Sequence, residues 1–228
     1  MPDVDPIVFK HVHPYPPFLF KEATKLIVGT LPPPRFTTGD LKPGDIDFCY
    51  GSKDGQLWKI LDKIFVLGLL YETSEEAVRQ RKEFLLKRRI GICDIIDRAE
   101  RIKVDASDLG MSNIVLRDMF GYLKQYHKVD TLLFTGGNSK NGPEYLFRKY
   151  LKQQGHTLSV VNNDVPRIHQ FELQDQGHVR VIRTISLTAP SGSANRAVGS
   201  IPEYKAAKAR DPAFSTLDFR AAQYCQFF

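Results

Sequence analysis

The chain has 228 residues, 42% of them hydrophobic and 25% charged, with a formal net charge of +6. These proportions suit a globular domain with a full core, and the excess of positive charge suits a polyanionic partner. Three cysteines exclude a disulfide scaffold or a four-thiolate cluster, and no apolar run approaches the ~20 residues of a membrane span.

The opening Met1-Pro-Asp-Val-Asp-Pro6 has neither the basic nor the apolar region of a signal peptide, so cytoplasmic residence is expected. Leu26–Gly29 is a short buried-strand run. From Leu57 to Leu67 the apolar spacing is helical, with Leu57, Ile60, Leu61, Ile64 and Phe65 on one face. Thr73-Ser-Glu-Glu76 has the form of a capping box and opens a second helix. Ile90–Ile96 reads as a strand, and Ser112–Tyr126 as a helix with Ile114, Val115, Met119 and Leu123 inward. Asp130–Gly137 is a strand running into a turn, and Gly142-Pro143 starts the next helix. Arg167–Leu173 and His178–Leu187 form a strand pair across Gln174–Gly177, and Pro202–Lys208 a closing helix. The alternation predicts one domain over residues 1–228, with its core at about 25–210. The expected architecture is a three-layer α/β/α sandwich around a central, mostly parallel sheet.

Two loops follow apolar strands in a similar way: Lys25-Leu-Ile-Val-Gly-Thr-Leu-Pro-Pro-Pro34 and Thr184-Ile-Ser-Leu-Thr-Ala-Pro-Ser-Gly-Ser-Ala-Asn-Arg196. Open α/β sheets place their ligands at such carboxyl ends of strands. Between the two lies a polar and aromatic turn, Cys49-Tyr-Gly-Ser-Lys-Asp-Gly-Gln-Leu-Trp58. This layout resembles the uracil-DNA glycosylase superfamily, in which a G-x-x-P loop, an aromatic turn and a late P-S-G loop surround a flipped-out base. Gly29-Thr-Leu-Pro32, the Tyr50-Gly51 to Trp58 turn, Gly91–Arg101 with its Glu100-Arg101 ending, and Phe134-Thr-Gly-Gly-Asn-Ser-Lys140 bring the resemblance closest to the hypoxanthine-DNA and mismatch-specific glycosylase branches.

The resemblance implies a uracil-DNA glycosylase-like fold and a monofunctional, cofactor-free enzyme acting on duplex DNA that carries a damaged or mismatched base. It would act as a monomer, off the membrane, and associate with the nucleoid. Such an enzyme flips out a deaminated base of the uracil or hypoxanthine type and hydrolyses its bond to deoxyribose by water attack. In other branches a carboxylate or amide in the first loop holds that water. Leu31 stands there and can do neither, so the group comes from elsewhere.

Asp54 is the leading replacement, and Asp94 is the second, aligned with an Asn of the mismatch-specific branch. Each has a plainer reading: Asp54 as the cap of a helix beginning near Gln56, Asp94 as a surface or turn carboxylate. Tyr50, with Phe48 behind it, is the candidate for stacking on the base, whereas Trp58 suits the core. The backbone amides of Gly29, Thr30 and Leu31 are placed to bind base carbonyls or a phosphate, and Asn138 belongs to the base-binding turn after the fourth strand. In the late loop Pro190, Ser191, Gly192 and Ser193 approach the DNA backbone, while Asn195 and Arg196 enter the space left by the base. Ala189 replaces the His or Asn that assists the leaving group in other branches.

The cluster Arg79, Arg81, Lys82, Lys87, Arg88 and Arg89 reads as a solvated helix face first and a DNA track second. His11-Val-His13 has no third ligand near it in sequence, and no metal is expected. Two alternatives stay open: a catalytically inactive DNA-binding relative of the same fold, and a hydrolase of free nucleosides or nucleotides. No G-x-S-x-G elbow, P-loop or G-x-G-x-x-G is present.

Overall fold

The computed structural model describes residues 8–175 and 177–228. In chain order the elements are β1 (Phe9–Val12), β2 (Lys25–Val28), α1 (Pro34–Thr38), α2 (Leu57–Phe65), α3 (Glu75–Arg88), β3 (Ile90–Ile92), β4 (Ile96–Arg101), β5 (Met111–Leu116), α4 (Met119–Gln125), β6 (Thr131–Phe134), α5 (Pro143–Gln153), β7 (Ser159–Asn162), β8 (Arg167–Asp175), β9 (His178–Ser186), α6 (Asn195–Ser200), α7 (Pro202–Arg210) and α8 (Thr216–Tyr224).

A six-stranded sheet runs in the order β3-β2-β6-β9-β8-β7. The first four strands are parallel, and β8 joins β9 and β7 antiparallel. Because strand side chains alternate between faces, adjacent residues of β2 enter different cores. Leu26 and Val28 pack with Met119, Leu123 and Phe147 of α4 and α5. Ile27 lies on the opposite face with Leu57, Leu61, Leu85 and Tyr224 of α2, α3 and α8. The α/β class, with a mostly parallel sheet covered by helices on both faces, therefore follows the sequence pattern. The β8–β9 pair forms as expected, but it extends into the expected turn. Gln174 and Asp175 belong to β8, and the pairing runs from Arg167 opposite Ser186 to Asp175 opposite His178.

Four expectations need correction. Ile90–Ile96 is not one strand: it leaves the main sheet after Ile92, and β4 starts a separate sheet of order β1-β4-β5. Ser112–Tyr126 is not one helix: β5 pairs antiparallel with β4, and α4 begins only after Asp118, whose carboxylate accepts the Gly121 N–H. The helical spacing of Ile114, Val115, Met119 and Leu123 is coincidental, and strand pairing overrides it. The Thr73–Glu76 capping box is displaced: Ser74 caps α3, while the Thr73 hydroxyl donates to the Asp45 carbonyl. Helix α7 does not close the chain, because α8 follows behind a full capping box formed by Ser215 and Asp218.

Candidate functional site

Strands β2, β6 and β9 end side by side, so the loops leaving them converge on one edge of the sheet. A cleft of about 660 Å³ opens there, within the range usual for small-molecule sites. The first loop contributes Thr30 to Pro33, the aromatic turn Tyr50 to Leu57, and the late loop Ala189 to Ser193. Thr135 and Asp94 complete the floor, and Ala106–Asp108 form a further side.

The floor is built around Asp94, which is 6% exposed. Its Oδ1 accepts the Gly29 N–H at 2.7 Å and the Tyr50 hydroxyl at 2.6 Å. Its Oδ2 accepts from His13 Nε2 at 3.0 Å. The Tyr15 backbone N–H donates to His13 Nδ1, which puts the imidazole proton on Nε2. Glycine is required at 29, because a Cβ there would run into the Tyr50 hydroxyl, the Asp94 carboxylate and the Thr135 hydroxyl. Tyr50 has φ 58°, an unfavourable backbone state for a bulky residue, held here by the hydroxyl's bond to Asp94. Burial, then the neighbouring Asp94 charge, push its phenol well above the ordinary range, so it stays a donor.

The rim is held differently. Arg35 makes two hydrogen bonds to the buried Asp45, at 2.7 and 2.8 Å, and reaches Ser52 Oγ at 2.8 Å. Burial opposes ionisation of Asp45, but Arg35 and the Lys53 and Lys42 N–H groups outweigh it and hold the carboxyl below its usual range. Asp54 lies at the outer end of this group, with its side chain 71% exposed and Arg35 Nη2 at 3.4 Å. It does not cap α2, whose first position follows Gln56 without any side-chain cap.

On the opposite side the late loop is tied to the aromatic turn. Gly55 and Ser191 form a β-bridge, and Gln56 N–H donates to the Pro190 carbonyl at 2.9 Å. Arg220 of α8, fully buried, donates to Gln56 Oε1 at 2.7 Å, Asn195 Oδ1 at 2.8 Å and the Ser191 carbonyl at 3.1 Å. One guanidinium thus ties two points of the cleft wall, Gln56 and Ser191, to Asn195 behind it.

The cleft brings together Thr30, Leu31, Tyr50, Asp54, Asp94, Pro190, Ser191, Gly192 and Ser193 from the residues selected in the sequence, with Gly29 directly beneath them. Four others lie outside it. Phe48 is buried between Phe18 and Trp58 and presents no face to the cleft. Asn138 is exposed beyond the β6 turn, where Thr135 takes the lining position. Asn195 has its carbonyl oxygen bound by Arg220 and Thr216, so it is not free to enter a vacated base space. Arg196 is exposed on α6, away from the lining.

Arg81 also departs from expectation. It is fully buried over Trp58 and Tyr71 rather than part of a solvated face. His11 and His13 serve different networks: burial and then Arg101 push His11 down to about 4, so it stays neutral and accepts from Arg101 Nε at 2.8 Å.

Compared with family models, curated proteins and solved structures, the chain matches none. The geometry therefore speaks alone, and it adds one residue that the sequence pattern missed. Asp108 starts a 3₁₀ turn between β4 and β5, and one of its oxygens accepts the Thr30 hydroxyl at 2.8 Å. Burial pushes its carboxyl up to about 6, against the Thr30 hydrogen bond and the Arg101 charge. Asp108 lies between residues 102 and 111, a stretch that carries none of the motifs above.

Proposed function

We propose that this chain is a monofunctional DNA glycosylase of the uracil-DNA glycosylase superfamily. It excises a deaminated base of the uracil or hypoxanthine type from duplex DNA. The observation that carries this reading is the convergence of three separately recognised segments on one cleft: the Gly29–Pro32 loop, the Tyr50–Trp58 turn and the Pro190–Ser193 loop. Their chemistry matches the task. Tyr50 offers a ring to a flipped base, and the late loop offers hydroxyls to phosphates at the cleft mouth. The first loop offers the Thr30 and Leu31 amides, since the Gly29 N–H is held by Asp94 and not free as expected.

Cleavage of the N-glycosidic bond develops positive charge on the sugar and negative charge on the leaving base. Carboxylates lining the cleft stabilise the first, and backbone N–H groups the second. No cofactor takes part.

One observation favours a second reading, a DNA-binding relative without catalysis. Leu31 and Ala189 both face the cleft, where other branches carry polar groups. Incubating the protein with duplexes containing uracil, hypoxanthine, xanthine or a G:T mismatch, then cleaving abasic sites with alkali, separates the two. Strand breaks at one or more lesions are the expected result. Salt-sensitive binding with no breaks would leave the binding reading, and cleavage of free deoxyuridine or deoxyinosine alone would point to a nucleoside hydrolase.

A further inference from the structure

Hydrolysis at the cleft needs a carboxylate with an oxygen free to take a proton from water, and three carboxyl groups border the cleft. Asp94 has both oxygens occupied by Gly29, Tyr50 and His13. It holds the floor together and has little capacity left for a water. Asp54 is largely in solvent at the rim, where no dry environment strengthens its interactions.

Asp108 differs from both. Its Oδ1 accepts from Thr30, the residue before Leu31, and no donor among the described residues bonds its other oxygen. The backbone around it is fixed from two sides. The buried Arg101 donates to the Ser107 carbonyl, and the buried Asn141 donates to the Asp108 carbonyl at 2.9 Å. A carboxyl group held by such a shell keeps its orientation when a substrate enters.

We propose that Asp108 is the catalytic carboxylate that holds and deprotonates the attacking water, supplying from the β4–β5 connection the group that Leu31 lacks. This inference rests on the glycosylase reading of the same cleft. In the step it serves, the bond between C1′ and the base nitrogen breaks, and its electron pair leaves with the base. The water oxygen bonds to C1′, and the water proton passes to the free oxygen of Asp108. From there the proton returns through solvent to the departed base anion, so charge and atoms balance.

The electrostatic setting agrees with that role. The charged groups that face Asp108 are Arg101 from β4 and Asp94 from the floor, and Asp105 sits beside Arg101 at 3.7 Å. Burial raises the carboxyl to about 6 despite Arg101 and the Thr30 bond, which suits a base that must be ionised at neutral pH yet still take a proton. Because the carboxyl group must be ionised to act, the rate rises with pH through that region and levels off above it.

The test is single-turnover excision against pH, on the duplex that the unmodified protein cleaves best, for the unmodified protein, D108N, D54N and T30V. An ascending limb near pH 6 is expected in the unmodified protein. D108N should lose on the order of 10²- to 10⁴-fold in rate and lose the limb, with its affinity for lesion DNA changed less than threefold. T30V should move the limb to higher pH, because the lost hydrogen bond stabilised the carboxylate. If D108N fails to fold by circular dichroism, the T30V profile decides, and an unmoved limb overturns the assignment. A D108N protein that keeps rate and limb overturns Asp108 but leaves the glycosylase reading standing, as does a larger loss in D54N than in D108N. No excision of any deaminated base by the unmodified protein overturns both.

Discussion

The floor and the rim of the cleft are both lined by acidic side chains, yet they are built in opposite ways. On the floor Asp94 is 6% exposed and receives three hydrogen bonds from three separate segments of chain. At the rim Asp54 is 71% exposed and has a single contact with Arg35 at 3.4 Å. A buried carboxylate that loses its place leaves several donors unpaired, whereas an exposed one is replaced by water at little cost. The floor is thus built as architecture, and the more open walls hold the side chains that can change partner at low cost. Asp108 lies between the extremes, half-buried and only partly satisfied.

The largest effect expected from this contrast is on stability. Asp94→Ala strands the Gly29 N–H and His13 Nε2, each worth about 1–3 kcal/mol when left unsatisfied, and leaves the Tyr50 hydroxyl only the longer contact with Thr135. A loss of about 3 kcal/mol or more in urea unfolding is expected. A loss below 1 kcal/mol would mean that the floor is not a locked unit. The next effect concerns the open walls as a DNA-binding surface. If only two phosphates are neutralised, a fourfold rise in salt should cut duplex affinity about tenfold. Fluorescence anisotropy with non-specific duplex measures this, and a flat salt response removes DNA as the partner.

A smaller change is expected from the late loop. Ser191→Ala with Ser193→Ala should weaken binding about two- to fivefold for lesion-bearing and intact duplexes alike, because phosphate contacts position without specifying. A loss confined to one lesion would make this loop a base reader. The smallest effect belongs to the rim carboxylate. Asp54→Asn should shift stability by no more than about 0.5 kcal/mol and lower the excision rate less than tenfold. A drop in rate larger than that of Asp108→Asn would move the water-holding role outward from Asp108.

The parallel strands and their loops were readable because local sequence and tertiary environment agree there. Leu26–Gly29 and Asp130–Gly137 are apolar runs ending in glycine, and β8–β9 is a hairpin with clear turn residues. The region from 93 to 116 was not readable, because its structure depends on pairing with distant chain. β4 finds its partners in β1 and β5, and nothing local in Ile114-Val115 separates a small-sheet strand from a helix face. The site inherited that difficulty. Asp108 is hidden because it lies between two strands, β4 and β5, that pair without a local sign, and His13 because its partner Asp94 lies 81 residues away. Phe48 failed as a stacking residue for a simple reason: two positions away, the left-handed turn at Tyr50 gives the cleft to the other aromatic ring.

Arg220 gives the cleft an unexpected dependence. Its guanidinium sits in the interior; among the described residues no carboxylate lies beside it, and two side-chain amide oxygens and one backbone carbonyl offset its burial. Helix α8 therefore cannot detach without releasing both the Gln56 turn and the Ser191 loop. Fraying of that helix is thus expected to loosen the cleft wall, and amide exchange in α8 should slow together with exchange at Gln56 when a duplex fills the cleft. The helix farthest along the chain should thereby report whether the cleft is filled.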